Sequence, residues 1–385
     1  MNKAMVAAIA LTDIFLAAGT GEGAAGDVAQ MWVLMGALFC VSTPVGAAAA
    51  ARAELATPPE GGITPLAAEW IMAQWVSIAL RAVLLAVGGF GFWLWRPDLL
   101  PYLATTFPAC VVADIAIRWG FKPMKIARIG EGAAGLQVVS GVTLAVTNVL
   151  ASWVLAHACD LGLLGIGLGT LIAEIVAGVL PVTVAYRAGA LVRPSLARGL
   201  EIWKDCAKAT RGGAISGARL IALLAMMGLL EGAAKDAYAL ITETAFSAAI
   251  VVAAVIRVTQ RKARRGEESQ REARWAEASS ALHRPLQLAG VVACAGYILA
   301  VGAGPVAAAG VVLYAAGSLI CDERQLAVQT MRCEEDHALV DAKVRATTIK
   351  VTVWVILACG GWVTTTSLIA SELLGMAIFW LELRD

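Results

Sequence analysis

The chain has 385 residues, 59% of them hydrophobic and 15% charged, with a formal net charge of +1 and a mean hydropathy of +0.75. A soluble domain carries about 25% charged residues, so the composition excludes a soluble globular fold and describes a polytopic membrane protein. The net charge by itself says nothing about nucleic acid; the one candidate basic patch for nucleic acid or anionic lipid, 257–284, is interleaved with glutamates, so no nucleic-acid partner is expected.

A membrane span needs about 20 mostly apolar residues. Backbone groups in lipid must satisfy one another, which selects helices. Apolar runs predict spans over 3–19, 25–50, 64–88, 99–117, 134–157 and 162–186, then over 207–230, 237–258, 286–303, 306–321 and 347–368. The tail 369–381 reads either as a short twelfth span or as the second arm of a hairpin broken at Gly360–Gly361. The fold class is therefore an all-α polytopic membrane protein with eleven secure spans and a doubtful twelfth. Residues 1–190 form one expected lobe, 191–206 a cytoplasmic linker carrying Pro194, and 207–385 the second lobe.

Basic residues test this layout. Arg52, then Arg118, Lys122, Lys125 and Arg128, then Arg187 to Arg211, fall in alternate connections, as do Arg257 to Arg284 and Arg324 to Arg345. The opposite connections hold Arg96 and Lys235. Basic residues concentrate on the cytoplasmic side, so the N-terminus is expected inside a cell (inner or plasma) membrane. The stretch 257–284 interleaves Glu267, Glu268, Glu272 and Glu277 with its basic residues, and reads as a solvated helix extension and inner-face linker. The first run contains Asp13 and no convincing cleavage site, so no cleavable signal peptide is expected.

The two halves echo one another. Gly19-Thr-Gly-Glu22-Gly23-Ala24-Ala25-Gly-Asp27 recurs as Gly228-Leu-Leu-Glu231-Gly232-Ala233-Ala234-Lys-Asp236, and Leu163-Leu164-Gly165 recurs as Leu373-Leu374-Gly375. The offsets, 228 − 19 = 209 and 375 − 165 = 210, are close to half the chain. Duplicated multi-helix units in membrane proteins commonly enclose a substrate path.

Ionisable groups deep in a span are costly and mark function. Asp13 lies roughly 9 Å from the outer end of its span, Asn148 roughly 13 Å and Thr170 roughly 12 Å, at ~1.5 Å per residue. Three polar side chains at similar depth in spans one, five and six suit a proton or sodium site. A desolvated carboxylate exchanges a proton more readily, and amide and hydroxyl oxygens help to hold a cation. Plain structural roles exist for each: a wet rim for Asp13, a helix bridge for Asn148, a bond back to its own helix for Thr170.

Glu174 and Glu243 are further acids within spans, candidates to meet a cationic substrate. Arg81 and Arg219 are candidates to hold an anionic group, with snorkelling or pairing to a neighbouring acid as the plainer role. Glu69 and Asp114 read as rim residues. The position 209 residues beyond Asp13 is Ala222, so the second half has no matching acid.

His157, His283 and His337 read as span-end or loop residues, which leaves no buried histidine relay. Cys40, Cys110, Cys294 and Cys359 fall in apolar runs, where Cys behaves as a small hydrophobe. Cys321, Cys333 and His337 share a charged stretch, but the spacing and the lack of a fourth ligand favour a plain loop over a metal site. Pro44, Pro108 and Pro181 are candidate bending points. Neither His-Glu-x-x-His nor a phosphate-binding P-loop is present, so no enzyme, resident cofactor or metal is expected.

Several of these segments resemble the multidrug and toxic compound extrusion (MATE) family, particularly its DinF-like branch. Asp13-Ile-Phe-Leu-Ala-Ala-Gly19 is similar to the family's D-x-x-x-[VI]-G segment, and Ser42-Thr43-Pro-Val-Gly46 through Arg52 to the end of its second span. Thr147-Asn148-Val-Leu150 and Gly162 to Glu174 are similar to its L-N-x-x-L-D run and the G-A-A-L-A-T-x-I-A-E run after it. Ser152 stands where that pattern has an acid, and Val251 and Val252 where an acid is expected in the eighth span. The resemblance implies two six-helix lobes forming a V and cation-coupled export of small amphipathic molecules. It also implies a first-lobe proton or sodium site made by Asp13, Asn148 and Thr170, with Ser152 in the position of the second acid.

The leading expectation is a monomeric secondary transporter in the lipid bilayer. It would export small amphipathic or cationic molecules by proton or sodium antiport. The alternatives are a flippase for a lipid-linked precursor, with Arg81 and Arg219 on its anionic group, and a non-transporting membrane partner protein.

Overall fold

The computed structural model describes residues 2–55, 64–126, 132–190, 210–264, 268–300, 304–332 and 337–383, with Ala197, Leu200, Glu201 and Lys204. Most of the expected linker, 191–206, lies outside them. The described residues form twelve long helices: α1 (Asn2–Ala18), α2 (Ala24–Leu55), α3 (Pro65–Trp95), α4 (Leu100–Ile115), α5 (Gly132–Trp153) and α6 (Gly162–Arg187), then α7 (Thr210–Met227), α8 (Gly232–Arg264), α9 (Arg284–Ala300), α10 (Gly304–Arg332), α11 (His337–Cys359) and α12 (Thr365–Glu382). Among the described residues five segments are long and apolar enough to cross a membrane: Pro65–Trp95, Pro97–Met124, Gly135–Ala158, Gly162–Arg187 and Pro305–Ala327. Together with the composition, they make this a multi-pass membrane protein.

Local chemistry sets the helix boundaries. Thr64 caps α3, its Oγ1 accepting the Ala67 amide at 3.1 Å, and Pro65 follows where a missing N–H costs nothing. α11 stops at Gly360–Gly361, with Gly361 in the left-handed region at φ 67°. Thr364 and Ser367 then cap α12 reciprocally. The chain therefore breaks at the two glycines and still makes a last helix of 18 residues. The charged stretch carrying Cys321 is not a loop: α10 continues through it to Arg332, because its polar residues are helix formers beyond the apolar run. Likewise α8 runs on to Arg264, and a separate linker helix spans Glu268–Ala278.

π-helical turns close three elements: Ala116–Phe121 after α4, Val154–Ala158 after α5, and Ser279–His283 between the linker helix and α9. Each inserts one residue into the helical winding, which re-aims the side chains that follow.

The chain divides into two compact units. One comprises Gly19–Gly21 and Gln30–Ile221, in which α6 packs on both α4 and α5, and α3 on α4. The other comprises Met1–Ala18, Glu22–Ala29 and Ala222–Asp385. In it α10 packs on α8, α9 and α12, α11 packs on α12, and α1 lies along α8.

Within the second of these units the two copies of the repeat meet. Asp236 accepts the amides of Gly23 and Gly26 at 2.7 and 2.8 Å, at the start of α2, and Glu22 accepts the Ala233 amide at 3.3 Å, at the start of α8. Each copy thus supplies an acid to the other copy's helix N-terminus, where unpaired amides and the helix dipole favour it. Lys235 pairs with Asp27. Gly26 is needed because a Cβ there would lie 2.3 Å from Lys235 Cγ. Replacing Asp236 by Ala removes two cap bonds and should lower stability by about 1–2 kcal/mol, read as a lower unfolding midpoint in detergent. Glu22→Ala, which loses one longer bond, should cost less; equal midpoints for Asp236→Ala and wild type would contradict this assignment.

Candidate functional site

The α5–α6 contact is a backbone-on-backbone packing. A Cβ on Gly165 would sit 2.5 Å from the Ala156 nitrogen, and one on Gly169 would sit 2.3 Å from Ser152 Oγ and 2.4 Å from its nitrogen. Small residues one turn apart let two apolar helices approach this closely. Gly167 does the same toward α4, where a Cβ would lie 1.9 Å from Thr105 Oγ1.

This approach brings three of the expected site residues together. Asn148, Ser152 and Thr170 are all buried, at 0, 0 and 1% exposure. Asn148 Oδ1 lies 3.1 Å from both the Ser152 and Thr170 hydroxyls, and each hydroxyl also reaches the Ile166 carbonyl, at 3.2 and 3.1 Å. Four oxygens from two helices thus share the two hydroxyl protons, so either hydroxyl can turn between two acceptors. The group is neutral and rich in oxygen. It suits a hard cation in ligand type and lacks a charge of its own. Ser152, standing where the family pattern has an acid, is a full member of this network. Glu174 lies one turn beyond Thr170 on α6 and is also buried.

Asp13 is wholly buried. It sits on α1, in the unit that holds α8, while the oxygen cluster belongs to the other unit. Glu243 is half-buried on α8 and has no hydrogen bond or ion pair among the described residues. Arg219 is half-buried in α7.

Arg81 is not exposed to a cavity as an isolated charge. Its guanidinium binds Asp114 and lies over the Phe39 ring, 4.2 Å from the centroid. Asp114 was expected at the rim but is buried at 2% exposure. It also receives Arg118 at 3.0 Å, four residues on and so on the same helical face. Arg118 and Lys122 both reach Gln74 Oε1, at 2.7 and 3.2 Å. The result is an ionic seam between α3 and the end of α4.

Two further groups escaped the sequence reading. Lys350 of α11 and Glu372 of α12 form a buried ion pair, with Gly375 leaving room for the lysine: a Cβ there would be 2.3 Å from Lys350 Cε. One turn further along α11, Trp354 Nε1 donates at 2.6 Å to Ser371 Oγ, the residue before Glu372. Each charge stands alone in an apolar run, and that isolation was the available signal. The second is His283, read as a span-end residue but fully buried; the π-helical turn swings it inward. Among the described residues no group of three His, Cys, Asp or Glu could hold a metal ion.

No family model matches the sequence, nor does any curated protein. Solved structures do. An inward-facing MATE transporter of the MOP superfamily superposes with a TM-score of 0.61 at 12% identity, covering 98% of this chain and 94% of that one. The chain has the MATE transporter fold. An outward-facing form matches at TM-score 0.58 and 14% identity, over 100% of this chain and 92% of that one. The bent form of the Vibrio cholerae MATE transporter VcmN matches at 0.56 and 11%, over 100% and 94%. The described residues are all helical, in agreement with the expected fold class.

The glycine packing of this MATE-fold chain has a direct test. Gly169→Leu drives a side chain into Ser152 and its backbone and should cost about 1–3 kcal/mol of stability. Ser152→Ala removes only one hydroxyl and should cost about 0.5–1.5 kcal/mol. Unfolding midpoints in detergent that rank the two in the opposite order would show that α5 and α6 do not approach as described.

Proposed function

We propose that the chain is a secondary active transporter that exports small amphipathic or cationic molecules by proton or sodium antiport. The observation that carries this reading is the match along the whole chain to MATE transporters solved in both inward-facing and outward-facing forms. Transport by alternating access needs a fold that supports both states.

The coupling chemistry follows from the buried polar groups. Asp13 is the acid we assign to coupling: a wholly buried carboxylate is costly in an apolar span and marks function. In the other unit Asn148, Ser152 and Thr170, drawn together by Gly165 and Gly169, form a neutral oxygen cluster suited in ligand type to a cation. Glu243, with no hydrogen bond or ion pair among the described residues, or Glu174 is the group for a cationic substrate. The motifs in 1–190 place the chain nearest the DinF-like branch. We place it in the cell membrane as a monomer, with the N-terminus cytoplasmic, on the strength of the alternating basic connections.

A flippase for a lipid-linked precursor would need Arg81 available to an anionic group. Asp114 and Phe39 already hold that guanidinium, which weighs against this alternative.

Inverted membrane vesicles give the test. Uptake of a lipophilic organic cation should follow an imposed proton or sodium gradient in wild type, and most of it should vanish in Asp13→Asn. Gradient-driven uptake that survives in Asp13→Asn would remove Asp13 from the mechanism, and none in wild type would favour a non-transporting membrane partner.

A further inference from the structure

Four residues of one helical stripe, Trp275, Ser279, His283 and Gln287, are spaced four apart across the linker helix, the π-helical turn and the start of α9. A regular α-helix drifts off such a spacing, and the wider π-helical turn brings it back into line. Three of the four converge on one carboxylate of α10. Ser279 Oγ donates to Glu323 Oε1, His283 Nδ1 lies 3.4 Å from the same oxygen, and Gln287 Nε2 donates to Oε2 at 2.8 Å. The fourth, Trp275, meets the imidazole edge-on, with ring centroids 5.0 Å apart. Beneath them lies an apolar cluster of Val252, Ile256, Leu319 and Leu326.

We propose that His283 and Glu323 form a proton-binding site that fastens the linker turn to α10 when the imidazole is charged. A histidine changes charge in the physiological range. At 3.4 Å the contact is long for a hydrogen bond from a neutral imidazole to a carboxylate. Adding a proton to the ring makes both nitrogens donors and sets an imidazolium against a carboxylate. That converts the contact into a shorter, charge-assisted bond. The proton enters by way of the carboxylate, whose side chain is 17% exposed while the imidazole is at 0%. Losing it loosens the turn from α10, where Ser279, Gln287 and the packing of Trp275 remain among the described contacts.

Among the described residues, Asp322 and Arg324 flank Glu323 on α10 and are half-buried. On the linker helix Glu272, Arg274 and Glu277 are exposed, as is Arg284 at the start of α9. On α10 Arg324 is engaged with the Leu383 carbonyl at 2.9 and 2.6 Å. On α8 the described buried neighbours are Gln260, which donates to the Leu326 carbonyl at 3.2 Å, and Ile256. The site needs no transported cation, so it stands apart from the function proposed above.

Hydrogen exchange of the full chain in detergent, followed on peptides covering 275–287 with labelling times corrected for the intrinsic pH effect, tests this without any transport assay. Wild type should show about tenfold more protection at acid than at alkaline pH, the effect of one strengthened hydrogen bond to a charged group. His283→Gln keeps a donor toward Glu323 but cannot titrate, and should show the same protection at both. Glu323→Gln, with His283 intact, should lose most of the difference. A wild type without a pH difference, or either variant retaining the wild-type difference, overturns the proposal; if one variant does not fold, the other decides.

Discussion

A polar group inside an apolar helix bundle has neither water nor lipid to answer it, so it must meet another polar group of the protein. That constraint organises this molecule. Asn148, Ser152 and Thr170 close on one another and on the Ile166 carbonyl. Arg81 and Arg118 close on Asp114, and Lys350 on Glu372. Glu243 has no such partner among the described residues, and for that reason we propose it as a group that meets substrate.

Glycine decides where these meetings occur. Gly165 and Gly169 bring α5 and α6 to backbone contact and so fix the oxygen cluster. Gly375, the counterpart of Gly165 at an offset of 210, does something different: it opens space for Lys350. The duplicated halves have kept their small residues and changed what those residues accommodate. At the repeated Gly-Ala motif the copies still act together, each acid reaching the other copy's helix start.

Much of the architecture was legible because apolar length and turn chemistry are local properties. The twelve helices lie close to the runs read from the sequence, and Gly360–Gly361 marks a true break. The ends of α8, α10 and α11 were not legible, since hydropathy reports where lipid would stop and helices continue beyond it through charged residues. At the site, Asn148 and Thr170 could be paired from their depth, because equal depth on adjacent helices implies contact. Asp114 and His283 could not be placed. His283 ends a π-helical turn, and one inserted residue moves a side chain to another face without leaving a mark in composition. Asp114 is buried by two arginines, Arg81 and Arg118, that it was not read with. The Lys350–Glu372 pair was missed because neither charge was singled out, although two isolated opposite charges in neighbouring apolar helices are candidates to pair.

Cation binding by the folded chain, with Asp13 as the proposed acid, can be read without any transport assay. A ligand bound only by the folded state raises the unfolding midpoint in step with its concentration. The direct measurement is that midpoint in detergent, with sodium titrated against choline at constant ionic strength and with proton concentration varied separately. The account predicts a rise with one of the two cations in wild type and a flat response in Asp13→Asn. An equal rise in both proteins, or none in wild type, would contradict it.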